Sequence, residues 1–191
     1  MVSMTTKKIK GDFIRIETRS DPERPTGMEV HIENNRTGED IILWPVSKTY
    51  KVKRKSDEKE GMEMTVQSLK KTGVITAVRP LLEPTGKSEM MNGYQADIYT
   101  CAIPSRTSTY WLAQDLAKFV PLLAASHKLT NTPIEKQLPD PATFPGVPVH
   151  TVLEQSIGGL KVTVTTDLVS LKEENLSDSE FQVPPDYKKV K

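Results

Sequence analysis

From residue 4 to residue 54 the chain runs through short stretches of alternating apolar and polar side chains, each ended by a turn signal. A period of two places one set of side chains on each face of a strand, so this pattern predicts an antiparallel meander. Gly11-Asp12 separates a strand over 2–10 from one over 13–18, in which Ile14 and Ile16 oppose Phe13, Arg15 and Glu17. After a proline-rich turn from Asp21-Pro22 to Gly27, Met28, Val30 and Ile32 alternate with Glu29, His31 and Glu33. Asn34 to Gly38 has turn composition, and strands over 41–44 and 49–53 follow around Pro45.

The middle of the chain is less regular. Ser56 to Gly61 reads as a charged, exposed bend, 62–71 as a short helix and 73–78 as a strand. Turns around Glu83-Pro84-Thr85-Gly86 and at Asn92-Gly93 bracket a hairpin whose second arm is 94–103, and 107–112 continues as a strand. The main helix is predicted over 114–128. Leu116, Phe119, Val120, Leu122 and Leu123 share its apolar face, His127 and Lys128 fall in its last turn, and Pro121 imposes a kink or a division into two segments. Pro133, Pro139, Pro141, Pro145 and Pro148 then argue against core strand, after which 149–157 and 160–171 form a long hairpin about Gly158-Gly159. A turn at 172–176 leads to a closing segment over 181–187.

About nine or ten strands, one main helix, and neither repeat nor long linker predict a single mainly β (α+β) domain over 1–191. A curved antiparallel sheet wrapped over the helix satisfies the pattern, because the helix buries the apolar face of the sheet. A closed up-and-down barrel is the alternative.

Composition narrows the partners. At 191 residues, 36% hydrophobic and 27% charged, the chain has the makeup of a globular domain able to bury a core. The 26 basic side chains nearly balance the 25 acidic ones, so there is no net field to draw nucleic acid or anionic lipid. No apolar run reaches the roughly 18 residues of a transmembrane helix. The single cysteine, Cys101, has no disulfide partner within the chain.

Several stretches together resemble an uncharacterised bacterial domain family of the lipoprotein-carrier (LolA/LolB-like) superfamily. They are Ile9-Lys10-Gly11-Asp12 with Ile14-Arg15-Ile16-Glu17, Ile42-Leu43-Trp44 leading to Lys48-Thr49-Tyr50, and Gly93-Tyr94-Gln95-Ala96-Asp97-Ile98-Tyr99. Tyr110-Trp111-Leu112-Ala113-Gln114-Asp115-Leu116 and the segment from Leu176-Ser177-Asp178 to Pro185-Asp186-Tyr187 complete the series. The resemblance implies a half-barrel of antiparallel sheet with the helix over its concave face, an apolar cavity, no catalytic residues and no cofactor. It also implies a periplasmic or otherwise exported protein, here lacking its signal peptide and first strand; a cytoplasmic protein is the alternative, since the first residues hold no secretory signal.

Motifs that carry chemistry are weak. Ser68-Leu69-Lys70-Lys71 and Lys71-Thr72-Gly73 satisfy S-x-x-K and K-T-G, yet they overlap, and S-D-N is missing. His31-Ile32-Glu33 fits H-x-E without the cysteines of a zinc deaminase, and reads as a solvent-facing strand pair. His31, His127 and His150 lack metal-ligand spacing. Cys101, in a β-type run, reads as a small buried hydrophobe. An enzyme would need Asp97, Glu154 and His150 to converge, which their positions give no reason to expect.

Two functions remain. In the first, a lipid or the acyl chains of a lipoprotein lie in the half-barrel, against cavity candidates Trp44, Tyr99, Trp111, Leu116, Phe119 and Leu123, between the helix near Phe119 and the sheet face carrying Trp44 and Trp111. In the second, the domain is an envelope interaction module that binds an envelope protein by a sheet edge or face, with no small-molecule ligand.

Overall fold

A computed structural model describes residues 2–20, 27–54, 79–103, 106–128, 137–157 and 160–190. The proline-rich turn at 21–26, the bend at 56–61, the helix over 62–71, the strand over 73–78, both lactamase-like motifs, Pro133 and Gly158-Gly159 lie outside the described residues, as does the His127 side chain. The chain divides into two compact units, one built from Met1–Met64 with Glu174–Lys191 and the other from Thr65–Glu173.

The first unit holds six strands: β1 (Met4–Lys10), β2 (Phe13–Arg19), β3 (Met28–Asn34), β4 (Glu39–Trp44), β5 (Thr49–Arg54) and, from the far end of the chain, β11 (Lys188–Lys189). β1 to β5 form the antiparallel meander read from the sequence, and β11 adds in parallel along β5. Local chemistry sets the turns. Gly11 takes a positive φ (+56°) between β1 and β2, and the Asn34 carboxamide oxygen accepts from the backbone N–H of Arg36 (2.9 Å) and Thr37 (3.2 Å).

One face of this sheet is closed by the unit's own C-terminal segment. Phe181 is buried against Val30, Ile32 and Leu43, with Leu176, Val183 and Tyr187 packed around them. The segment is shaped by a 3-10 turn, Asp178–Phe181, whose capping box joins Ser177 and Glu180. It is tied down by ion pairs from Lys8 to Glu180 and from Lys10 to Asp178 (2.6 Å).

The second unit holds β6 (Glu83–Met91), β7 (Tyr94–Ile103), β8 (Arg106–Ala113), β9 (Val147–Ile157) and β10 (Leu160–Asp167), paired in the order β10-β9-β8-β7-β6. Between β8 and β9 come a 3-10 turn, Gln114–Phe119, and the α-helix α1, Val120–Lys128. Pro121 sits at the second position of α1, where its missing N–H costs nothing, so the predicted helix is divided just before the proline. Leu123 of α1 packs on one face of the sheet with Cys101, Tyr110, Leu112 and Phe144. Val149, Ala96 and Ala113 pack with Trp111, Leu116 and Leu168.

The mainly β class holds, with antiparallel pairing dominant and one short helix. The single wrapped sheet is replaced by two sheets, and among the described residues neither closes into a barrel. The side of β5 away from β4 is taken by β11. Two local readings are also corrected. Glu83 to Gly86 is not a turn but part of edge strand β6, where a register shift between Pro84 and Ser88 absorbs the Pro and Gly. Pro148 lies within β9 at a second irregularity, between Trp111 and Leu112 of β8, rather than in the connection before the strand.

Candidate functional site

Each sheet end presents backbone groups without a ladder partner, and proteins blunt such edges with charge, proline or bulges. β1 carries Lys7, Lys8 and Lys10. β6 carries Pro84 and the register shift. The β5 edge is covered at Thr49 and Tyr50 by β11, through bonds from Lys188 N to Lys48 O (2.9 Å) and from Val190 N to Tyr50 O (2.8 Å). Among the described residues β10 has no covering strand, proline or register shift, and its only charges are one of each sign, Lys161 and Asp167, at its two ends.

Its eight residues pair with β9 in unbroken register, from Leu160 opposite Ile157 to Asp167 opposite His150. The Leu168 N–H donates to Val149 O (3.0 Å) in that same register. Residues 160, 162, 164 and 166 therefore turn their backbone groups toward β9, and those of Lys161, Thr163, Thr165 and Asp167 point to the open edge. The strand is exposed along nearly its whole length, including Leu160 (72%) and Val164 (45%). It is β-branched at Val162, Thr163, Val164, Thr165 and Thr166, a composition that favours extended backbone.

His150 and Asp167 face each other across β9 and β10, with His150 Nδ1 2.7 Å from Asp167 Oδ1. Asn92 Nδ2 donates to the same oxygen (3.1 Å) and to Val149 O (2.8 Å). The amide of Asn92 and then the imidazole hold the Asp167 carboxyl below the usual range. Trp111 stacks edge-on against His150 (4.7 Å between centroids) and donates to Glu89. These contacts pin the β10 terminus to its neighbours.

A second polar cluster lies on the first unit's sheet. Glu33 and Asp40 are direct cross-strand partners on β3 and β4, and His31 sits two residues away on the same face. The two Asp40 oxygens are each 3.1 Å from His31 Nδ1, and Glu29 is 3.6 Å from Nε2. The hydrogen bond to Asp40 raises the His31 pKa, with Asp40, Glu29 and Glu33 all adding negative potential. Facing carboxylates repel, and a protonated His31 relieves them. Ligand atoms of His31, Glu33 and Asp40 lie within 4.8 Å of one another, a donor set of a type divalent cations accept, although Asp40 already engages the imidazole. Glu33 is 9% exposed and His31 half-buried, so the predicted solvent-facing pair is instead part of a cross-strand network. Sequence spacing missed it because Asp40 arrives from the next strand.

The six cavity candidates are distributed. Trp44 lies on β4 of the first unit; the other five belong to the second. There Tyr99 and Leu123 join Tyr110 and Phe144, Trp111 joins Val149, and Phe119 joins Val120 and Val147, with Leu116 shared between the last two clusters. Asp97, Glu154 and His150 have separate surroundings: Asp97 bonds Ser88 and Gln114 (2.6 Å), Glu154 lies opposite Thr163, and His150 bonds Asp167. Burial raises the Cys101 thiol pKa, disfavouring the nucleophilic thiolate. A pocket of about 110 Å³ at the β1–β2 edge, among Met4, Thr6, Glu17 and Arg19, is smaller than the roughly 300 Å³ of ordinary ligand sites. Among the described residues no helix is long and apolar enough to cross a membrane.

The model of one protein family, described as a domain of unknown function (DUF4412), matches residues 2–187 and so spans both units. No curated protein matches the sequence.

Proposed function

This chain belongs to the DUF4412 family, and we propose that it is a non-catalytic interaction module that takes up an extended segment of another chain along the open edge of β10. The observation that carries this reading is the contrast among sheet edges: lysines, a proline-bearing register shift and a covering strand guard the others, while β10 stays regular, exposed and β-branched. Backbone bonds at Lys161, Thr163, Thr165 and Asp167 would supply affinity, and the side chains of Val162 and Val164 would choose what lies beside them. The cell envelope is the setting we propose for such a module, a reading supported by the lipoprotein-carrier resemblance alone.

Selection from a displayed library of random ten-residue peptides tests the proposal. Thr163→Pro removes an outward N–H without touching the β9 ladder. Peptides of β-prone sequence retained by the wild type and lost by Thr163→Pro are the expected result; enrichment indifferent to that substitution sinks the reading.

Acyl-chain binding is the second reading, favoured by one observation. Leu123 of α1 lies over Tyr110, Leu112 and Phe144, the helix-on-sheet arrangement that such a site requires. A lipid would enter by parting Leu123 and Phe144 from that sheet face. Lipid released in near-stoichiometric amount from protein purified without detergent supports this reading, and a clean apoprotein mass removes it.

A further inference from the structure

We infer that the segment taken up by β10 is β10 of a second copy, giving a two-fold dimer in which two five-stranded sheets join as one; this rests on the proposed edge-binding reading. The argument is one of register. Two β10 strands paired antiparallel across their open edges form backbone bonds only at the outward residues 161, 163, 165 and 167. Among registers that meet this condition, one places Val164 of one copy opposite Val164 of the other. It also sets Lys161 against Asp167 and Thr163 against Thr165, in each case twice by symmetry.

The two charges of β10 stand at opposite ends of the strand and are opposite in sign, so the strand complements itself when reversed. Both side chains lie on one face, since 161 and 167 share the strand's odd-numbered positions. Val162 meets Thr166 on the other face, so every pair in this register is apolar with β-branched, hydroxyl with hydroxyl, or cation with anion. β1 has no such property: Lys7, Lys8 and Lys10 all carry one sign, and any reversed pairing of two β1 strands concentrates positive charge. The pairing leaves the Asp167 contacts to His150 and Asn92 in place, because both use Oδ1 and Oδ2 remains for the lysine.

The register is tested by cross-linking in the full chain, with Cys101→Ser removing the native thiol. The central Val164 pair is of the non-hydrogen-bonded kind, with Cα atoms about 4.5 Å apart, within the span a disulfide bridges. Val164→Cys therefore cross-links to itself on mild oxidation. Val162→Cys does not, because its own counterpart lies four residues away, about 13 Å along the strand.

Charge supplies an independent test by sedimentation. Lys161→Asp alone opposes aspartates and Asp167→Lys alone opposes lysines, so each variant self-associates at least about tenfold more weakly than the wild type. An equimolar mixture of the two restores pairing, since each then meets the opposite sign. Equal cross-linking of Val162→Cys and Val164→Cys, or a mixture no better than its components, overturns the inference. If the wild type stays monomeric while selected peptides still bind and are lost in Thr163→Pro, the edge reading stands and its partner is a foreign segment. If neither self-association nor peptide binding responds to Thr163→Pro, both fall.

Discussion

Lys8 and Glu180 stand 172 positions apart in the sequence and form an ion pair that binds the first strand to the C-terminal turn. Their mutual hydrogen bond holds the Lys8 pKa above, and the Glu180 pKa below, their ordinary values. The other Glu180 oxygen accepts from the Ser177 N–H (3.3 Å), so one carboxylate serves both the cap and the pair. The two roles separate by substitution. Ser177→Ala removes a cap acceptor and costs about 1 kcal/mol in urea unfolding. Glu180→Gln keeps the cap and loses the charge, so its smaller deficit disappears in about 1 M salt, where exposed pairs are screened.

Phe181 is the apolar half of the same attachment. Phe181→Ala empties its place among Val30, Ile32 and Leu43 and costs about 3–5 kcal/mol. The C-terminal segment then becomes susceptible to limited proteolysis after residue 174, while β6 to β10 keep their amide protection.

His31 predicts a pH dependence. Its pKa is raised above 6.5 by Asp40, so the stabilisation is fully present below the unfolded-state value and is lost as pH rises through the folded-state one. Unfolding free energy therefore declines from about pH 6.5 upward, and His31→Gln flattens that decline. A folded-state imidazole titration by NMR that falls at or below 6.5 contradicts this.

Gly146 is required for close approach. A Cβ there would sit 2.4 Å from the Ala113 carbonyl oxygen and 2.9 Å from Gln114 N, both backbone atoms. Gly146→Ala must shift the β8 terminus and costs about 1–3 kcal/mol. Gly93→Ala serves as a contrast: nothing lies within 4 Å, but φ is +83°, so its cost of about 1 kcal/mol is conformational.

Strands were legible wherever local chemistry decides. The alternation of Met28, Val30 and Ile32 with Glu29, His31 and Glu33 fixed β3, and Asn92-Gly93, with φ of +52° and +83°, closes β6 onto β7 as its sequence predicts. Pairing between distant segments was not legible. Nothing in Lys188-Lys189 marks a strand, because two residues show no period and their partner lies on β5. Pro84 and Gly86 signal a turn locally, yet a paired β7 turns the same residues into an edge irregularity. Of the predicted apolar face, Leu116, Phe119, Val120 and Leu123 pack inward while Leu122 is exposed (42%), and division of the inward side chains among three clusters depends on which strands reach them. The β10 edge was foreshadowed only as a long hairpin; its openness is a property of sheet order, which alternation does not encode.

Because one unit is built from both ends of the chain and the other from its middle, the order of synthesis matters. All five strands of the middle unit are synthesised in one uninterrupted stretch before Phe181 is added. The first five strands must wait. At about 5–20 residues per second, the interval between Leu43 and Phe181 is on the order of ten seconds. Throughout it Val30, Ile32 and Leu43 stand on a sheet without its cover. The newborn chain thus carries a window of stickiness that closes only once Phe181 arrives, and a holding chaperone would find its target there.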